Sequence, residues 1–184
     1  MHQRIKKKLR ENLMKAIKTT ALAAAAALTL FAGAAKANTI VDIAAGDDRF
    51  STLVAAVTAA GLVETLSGPG PFTVYAPLND AFDALPAGTV ATLLEPENKG
   101  QLTDILLYHV DDRQLNAANF AAGSNYYKPV LASQRLCITS NNGVTIADGT
   151  GEIATVVVAD IQASNGVIHV IDKVLLPGTR PACH

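Results

Sequence analysis

Tryptophan is absent from this sequence, and cysteine occurs only twice in 184 residues. Two cysteines exclude a disulfide-dense miniprotein and most metal sites built from thiolates. Basic residues are scarce after residue 37. Residues 38–184 hold seven Lys and Arg against fifteen Asp and Glu, a net charge of −8. That balance excludes a basic nucleic-acid-binding body. Catalytic signatures are missing too. There is no G-x-S-x-G elbow, no H-E-x-x-H, no G-x-x-x-x-G-K-[ST] and no C-x-x-C, so neither a nucleophile elbow nor a zincin, P-loop or dithiol site is encoded. No cofactor and no metal ion are expected. With 49% apolar residues, wholesale disorder is excluded as well.

The basic residues that exist are concentrated at the start. Residues 1–37 carry eight Lys and Arg and a single acid, Glu11. This basic opening leads into the apolar stretch ALAAAAALTLFAGAA (21–35) and then Ala35-Lys36-Ala37, a small-x-small cleavage motif. The segment reads as an export signal, with Met14 as an alternative start. It falls short of the about 20 strongly apolar residues a membrane span needs, so no span is expected after cleavage. Cleavage leaves Asn38–His184, 147 residues, a normal single-domain size. The expected address is exported, secreted or periplasmic. Such a compartment permits a disulfide between Cys137 and Cys183. The alternative, a buried thiol at 137 and a free one at 183, stays open.

The exported part divides by character. Its first half is helical. Ile40–Ala44 is a short apolar turn. Phe50, Leu53, Val54 and Val57 form an i, i+3, i+4, i+7 stripe, capped by Asp47 or Asp48 and ended by Gly61. Ser67-Gly68-Pro69-Gly70-Pro71 breaks the chain. Phe72–Ala76 is a strand ended by Pro77. Asn79 or Asp80 then caps a helix bearing Ala81, Phe82 and Leu85, and further helices cover 88–94 and 99–108. The second half is β: 135–140, 144–147, 153–159 and 167–176, with Asn142-Gly143 and Asp148-Gly149 as hairpin turns. Tyr126-Tyr127 reads either as a contact patch or as a strand with one ring buried. Helices followed by an antiparallel meander make the fold class α+β.

Three histidines follow residue 38. His184 is terminal. His109 ends an apolar helix and His169 sits inside an apolar strand, so both read as core hydrogen-bonding residues. Asp160 and Asp172 read as turn or capping residues. Asp111-Asp112 and Asp148–Glu152 lack EF-hand spacing and read as solvated turns.

Three of these segments together resemble a known family. FTVYAPLNDAF (72–82) is similar to the first hallmark block of the fasciclin (FAS1) domain, and ASNGVIHVIDKVLLP (163–177) to the second. LTDILLYHV (102–110) carries the family's Tyr-His pair as Tyr108-His109. The resemblance covers 39–177, places a fasciclin domain at 38–178 and a short tail at 179–184, and suggests the bacterial secreted single-domain type. It implies an antiparallel β wedge with several helices packed beside it. It also implies extracellular, non-enzymatic binding: adhesion between cells, or attachment to a surface protein or polysaccharide. In animal relatives the Tyr-His pair is a proposed integrin-recognition motif, which falls here on Tyr108 and His109. Asn79, Asp80, Gly166 and His169 match structural positions of the blocks. The family brings no catalytic residues. With one domain per chain, adhesion favours oligomers. Two other classes stay open. An extracellular enzyme or factor assisting polymer breakdown needs His109 or His169 in a pocket. A small-ligand carrier needs an apolar cavity of several hundred Å3.

Overall fold

A computed structural model describes residues 37–183. The export segment, with Met14 and the Ala35-Lys36 part of the cleavage motif, lies outside the described residues, as does His184. The helical half begins with α1 (Ile40–Ala45), entered through a capping box. The Thr39 hydroxyl accepts from the Asp42 amide (3.2 Å), and the Asp42 carboxylate accepts from the Thr39 amide (2.9 Å). Asp47 caps a 3-10 turn, Asp48–Phe50, by accepting from the Arg49 amide. That turn runs into α2 (Ser51–Ala60). Gly61 ends α2 with φ 74°, and the amides of Leu62 and Gly61 donate to Val57 and Thr58 carbonyls, both at 3.0 Å. This is a Schellman closure, and it needs glycine for its left-handed residue. Next come α3 (Val63–Ser67), β1 (Phe72–Pro77), α4 (Asn79–Asp83), α5 (Thr89–Leu93) and α6 (Lys99–Tyr108).

The remaining strands are β2 (Val110–Asp111), β3 (Gly123–Tyr127), β4 (Leu136–Ser140), β5 (Val144–Ala147), β6 (Ile153–Ala163) and β7 (Gly166–Ile171). They form one seven-stranded sheet in the order β2-β1-β7-β6-β5-β4-β3. The α+β architecture stands, with one departure from the antiparallel expectation. β1 and β7 run parallel, in the register Phe72↔Gly166 through Pro77↔Ile171. The two hallmark blocks are therefore neighbours in space, about 90 residues apart in sequence.

Alternation along β1 and β7 divides the core in two. Val74, Ala76, Ile168 and Val170 pack with Phe50, Leu53 and Leu106 on the helical side. Tyr75 and Ile171 turn the other way, joining Tyr108, Phe120, Ile138 and Ile146. Every residue of β7 is buried, because both of its faces are covered. The strand stops at Ile171 rather than continuing to 176. At its end the Asp172 amide still donates to the Thr155 carbonyl (3.2 Å), while the Asp172 side chain, in place of its carbonyl, accepts from the Thr155 amide at 2.6 Å. β6 is longer than expected and irregular, with register shifts between Val156 and Ile161. Within that irregularity Asp160 adopts φ 62°, and its carboxylate accepts from the Ala117 amide at 2.7 Å. Asp160 thus caps the 3-10 turn Ala117–Asn119 from within β6, and Asp172 bonds to the β6 backbone at the end of β7. Tyr126 and Tyr127 lie on β3 with Tyr127 buried and Tyr126 exposed. Among the described residues no helix is long and apolar enough to cross a membrane.

Candidate functional site

Tyr108 and His109 stand where α6 hands over to β2, and both are buried. The Tyr108 hydroxyl donates to the Arg135 carbonyl at 2.8 Å. Burial, with the Asp148 charge nearby, holds this phenol well above its ordinary range. His109 uses both ring nitrogens. Nε2 accepts from the Leu175 amide at 2.9 Å, which leaves Nδ1–H to donate to the Ile105 carbonyl at 2.8 Å. Only the neutral imidazole meets both demands. Tyr108 therefore pins the end of α6 to the residue before β4, His109 pins it to the segment after β7, and both side chains are buried.

That environment has a pH consequence. Desolvation pushes the His109 pKa from 6.5 down to about 4, against the smaller opposing effects of Ile105 and Asp148. The unfolded ring takes up a proton near pH 6.5 that the folded ring refuses until about pH 4. Stability is then complete above pH 6.5 and declines as pH falls toward 4, by about 3 kcal/mol from this group. His169 shifts in the same direction, again through burial. Urea unfolding between pH 7 and 4 should show the decline. His109→Gln, which keeps an acceptor for Leu175 but does not titrate, should flatten the slope by close to one proton. An unchanged slope would remove His109 as its cause.

His169 is also fully buried and doubly bonded. Nε2–H donates to the Leu115 carbonyl at 2.7 Å, and Nδ1 accepts from the Asp160 amide at 3.3 Å. It faces Tyr75 across the parallel ladder, with ring centroids 5.9 Å apart, and Phe120 at 5.5 Å. The Tyr75 hydroxyl is buried and has no hydrogen-bond partner among the described residues. A buried hydroxyl without a partner is a net cost. Tyr75→Phe is expected to raise stability by about 1 kcal/mol, measured by denaturant midpoint; a clear loss would mean that the hydroxyl is engaged in solution.

The block residues 79, 80 and 166 act across elements rather than within them. Asn79 does not cap its own helix. α4 has Leu78 at its N-cap and no side-chain cap bond. The Asn79 side chain instead accepts from the Thr52 amide (3.1 Å) and donates to the Asp48 carbonyl (2.8 Å), so it caps α2 from a distance of 27 residues in sequence. Asp80 is exposed in the first turn of α4, where a negative charge suits the helix end. Gly166 has φ 159°, close to extended, so its backbone conformation does not by itself require glycine. A Cβ at 166 would overlap the Phe72 backbone, and this close approach requires glycine. Beside it, Asn165 accepts from the Ile40 amide at 3.0 Å and donates to the carbonyls of Leu66 (2.8 Å) and Gly68 (2.9 Å). One side chain thus ties α1 and α3 to the start of β7.

The acidic clusters differ from the solvated turns expected. Asp111 is 1% exposed and holds Arg113 through a bidentate contact of 2.7 and 2.6 Å; only Asp112 faces solvent. Asp148 is also 1% exposed. Its carboxylate accepts from the Thr150 amide and hydroxyl, the Glu152 amide and the Leu176 amide. A buried carboxylate persists only with such partners. Among the described residues no group of three His, Cys, Asp or Glu could hold a metal ion. Cys137 and Cys183 are bonded to each other. The tail thereby lies against β3, where the Tyr126 hydroxyl donates to the Pro181 carbonyl at 2.9 Å and Arg180 stacks over the Tyr126 ring at 3.9 Å.

On the helical side lies a cavity of about 260 Å3 between α1, α2, α3, α6 and β1. Ala44, Leu53, Val57, Leu66, Val74 and Leu106 contribute its walls. Residue periodicity marks these positions as core, which they are. It gives no sign of the space left between them, because that space depends on how far apart the helices stand.

The parallel pairing of the two blocks, the buried Tyr-His junction and the helices over one face define a fasciclin domain. The family model for the Fasciclin domain matches residues 48–177, and this chain belongs to the fasciclin family. Protein sll1483 of Synechocystis sp. is 55% identical over 141 residues, covering 77% of this chain and 74% of that protein. Transforming growth factor-beta-induced protein ig-h3 of Sus scrofa is 42% identical over 140 residues, covering 76% of this chain but 19% of that protein. Among solved structures, a FAS1 domain pair from the insect cell adhesion molecule Fasciclin I superposes with a TM-score of 0.52 at 22% identity. That match covers 65% of this chain and 42% of that one.

Proposed function

We propose that this chain is an exported, non-enzymatic binding protein whose fasciclin domain attaches to a cell-surface or extracellular-matrix component. The observation that carries this reading is the state of the two histidines. Both are buried and spend both ring nitrogens on the fold's own backbone. They were the candidates for acid–base chemistry, and neither has a nitrogen left for a substrate. Family membership supplies the direction, since Fasciclin I is a cell adhesion molecule. The disulfide and the cleavage motif support export. The charge of −8 over 38–184 favours a neutral or cationic partner over an anionic polymer.

Incubation of the purified protein with cell envelope and exopolysaccharide from its own source should retain it on one of them. Deletion of the gene should reduce surface attachment or aggregation, and N-terminal sequencing of the exported form should begin at Asn38. A deletion strain that attaches and aggregates normally, with no retention on either fraction, would sink the adhesive reading.

A further inference from the structure

The cavity between α1, α2, α3, α6 and β1 is larger than a packing defect. Native interiors leave few voids bigger than a water molecule. An apolar cavity of roughly 150 Å3 already holds a benzene ring. This one measures about 260 Å3. Its polar neighbours are all engaged elsewhere. The Thr58 hydroxyl donates to the Val54 carbonyl at 2.7 Å, and both nitrogens of His109 are taken by Ile105 and Leu175. Deeper in than the Thr58 oxygen at the rim, water entering such a space would find no side-chain partner left free. The lining includes no Phe, Tyr or Trp ring on which a flat ligand could stack. Ala45 and Thr58, at the rim, are exposed, so the space communicates with solvent there.

We propose that this cavity is a binding site for the end of an unbranched hydrocarbon chain, with the polar head of the ligand left outside at the Ala45–Thr58 rim. Scaling by volume from benzene, the cavity takes about ten carbons. Affinity comes from apolar burial alone. It depends on chain length and is indifferent to the head group. The site is independent of the adhesive reading: an adhesive protein with a filled cavity and a non-adhesive protein with an open one are both physically consistent. The chain belongs either to a free fatty acid or to the acyl tail of a membrane lipid.

Titration calorimetry of the purified full-length protein with the n-alkanoates from butanoate to tetradecanoate tests this. Affinity should tighten about fourfold per methylene and level off near ten carbons. Decanol should bind within a few-fold of decanoate. Ala44→Leu narrows the cavity and Thr58→Phe closes its mouth; each should weaken decanoate binding at least tenfold while the far-UV spectrum and melting stay native. If Ala44→Leu does not fold, the Thr58→Phe variant at the exposed rim carries the test. Cosedimentation with zwitterionic phosphatidylcholine vesicles, which the charge of −8 does not repel, separates the sources. Retention that is lost in the same variants assigns a lipid tail, and alkanoate binding without vesicle retention assigns a free fatty acid. No saturable binding at any chain length, or unchanged binding in the folded variants, overturns the proposal.

Discussion

Asp148→Ala is expected to lower the free energy of unfolding by about 4 kcal/mol. The carboxylate accepts four hydrogen bonds from three residues. Oδ1 takes the Thr150 amide (2.9 Å), the Thr150 hydroxyl (2.7 Å) and the Glu152 amide (3.0 Å), and Oδ2 takes the Leu176 amide (2.8 Å). The first three donors lie in an exposed turn and recover partly through water. The Leu176 amide is held 28 residues away, and its bond joins the β5–β6 turn to the segment leaving β7. Orphaning a donor of a charge-assisted bond costs about 1–3 kcal/mol, so the Leu176 contact dominates, with the turn adding the rest. Asp148→Asn separates the two parts. Its carbonyl keeps the turn donors, but its amide must then point N–H at the Leu176 N–H. That variant should therefore lose more than half as much as Ala. Urea denaturation of the three proteins is the measurement. If Asn costs little and only Ala is strongly destabilised, the Leu176 bond is not the important one.

Loss of the Cys137–Cys183 bond should be of similar size. It closes a loop of 46 residues spanning β5, β6 and β7. In the chain-entropy picture a loop of that length contributes about 4 kcal/mol by restricting the unfolded chain. For a domain of this size that corresponds to roughly 10 °C in melting temperature. Cys183→Ala is the cleaner variant, because Cys137 is buried in β4 whereas Cys183 lies on the tail. The same shift should follow from reductant on the parent protein. A change of only about a degree in both experiments would mean that the tail contacts at Tyr126, through Pro181 and Arg180, hold the C-terminus without the bond. The bond also links stability to location, since it forms in an oxidising compartment and not in a reducing one.

Much of the local structure was legible in sequence, for short-range reasons. The stripe Phe50-Leu53-Val57 and the glycine behind it place α2. Alternation places Ile168 and Val170 on one face and His169 and Ile171 on the other. A histidine set among apolar residues demands two partners, and both His109 and His169 have them. Misreadings came where a polar residue reaches across the chain. Asn79 looks like a cap for the helix it begins and caps α2 instead. Asp148 looks like a surface turn and lies under the C-terminal segment. Its neighbours in sequence are Gly, Thr and Glu, and the group that buries it arrives nearly 30 residues later.

The sequence by itself determined the element types, the fasciclin blocks and the identity of the two core histidines. These follow from periodicities of 2 and 3.6 residues and from turn chemistry, which act over a few positions. Tertiary structure alone decided three things: that β1 and β7 pair in parallel, that Asn79, Asp148 and Asn165 act as cross-links between elements, and that a cavity of about 260 Å3 remains between the helices and β1. Each of these depends on the separation and orientation of segments tens of residues apart. A packed interior sets those quantities collectively, and no local pattern carries them.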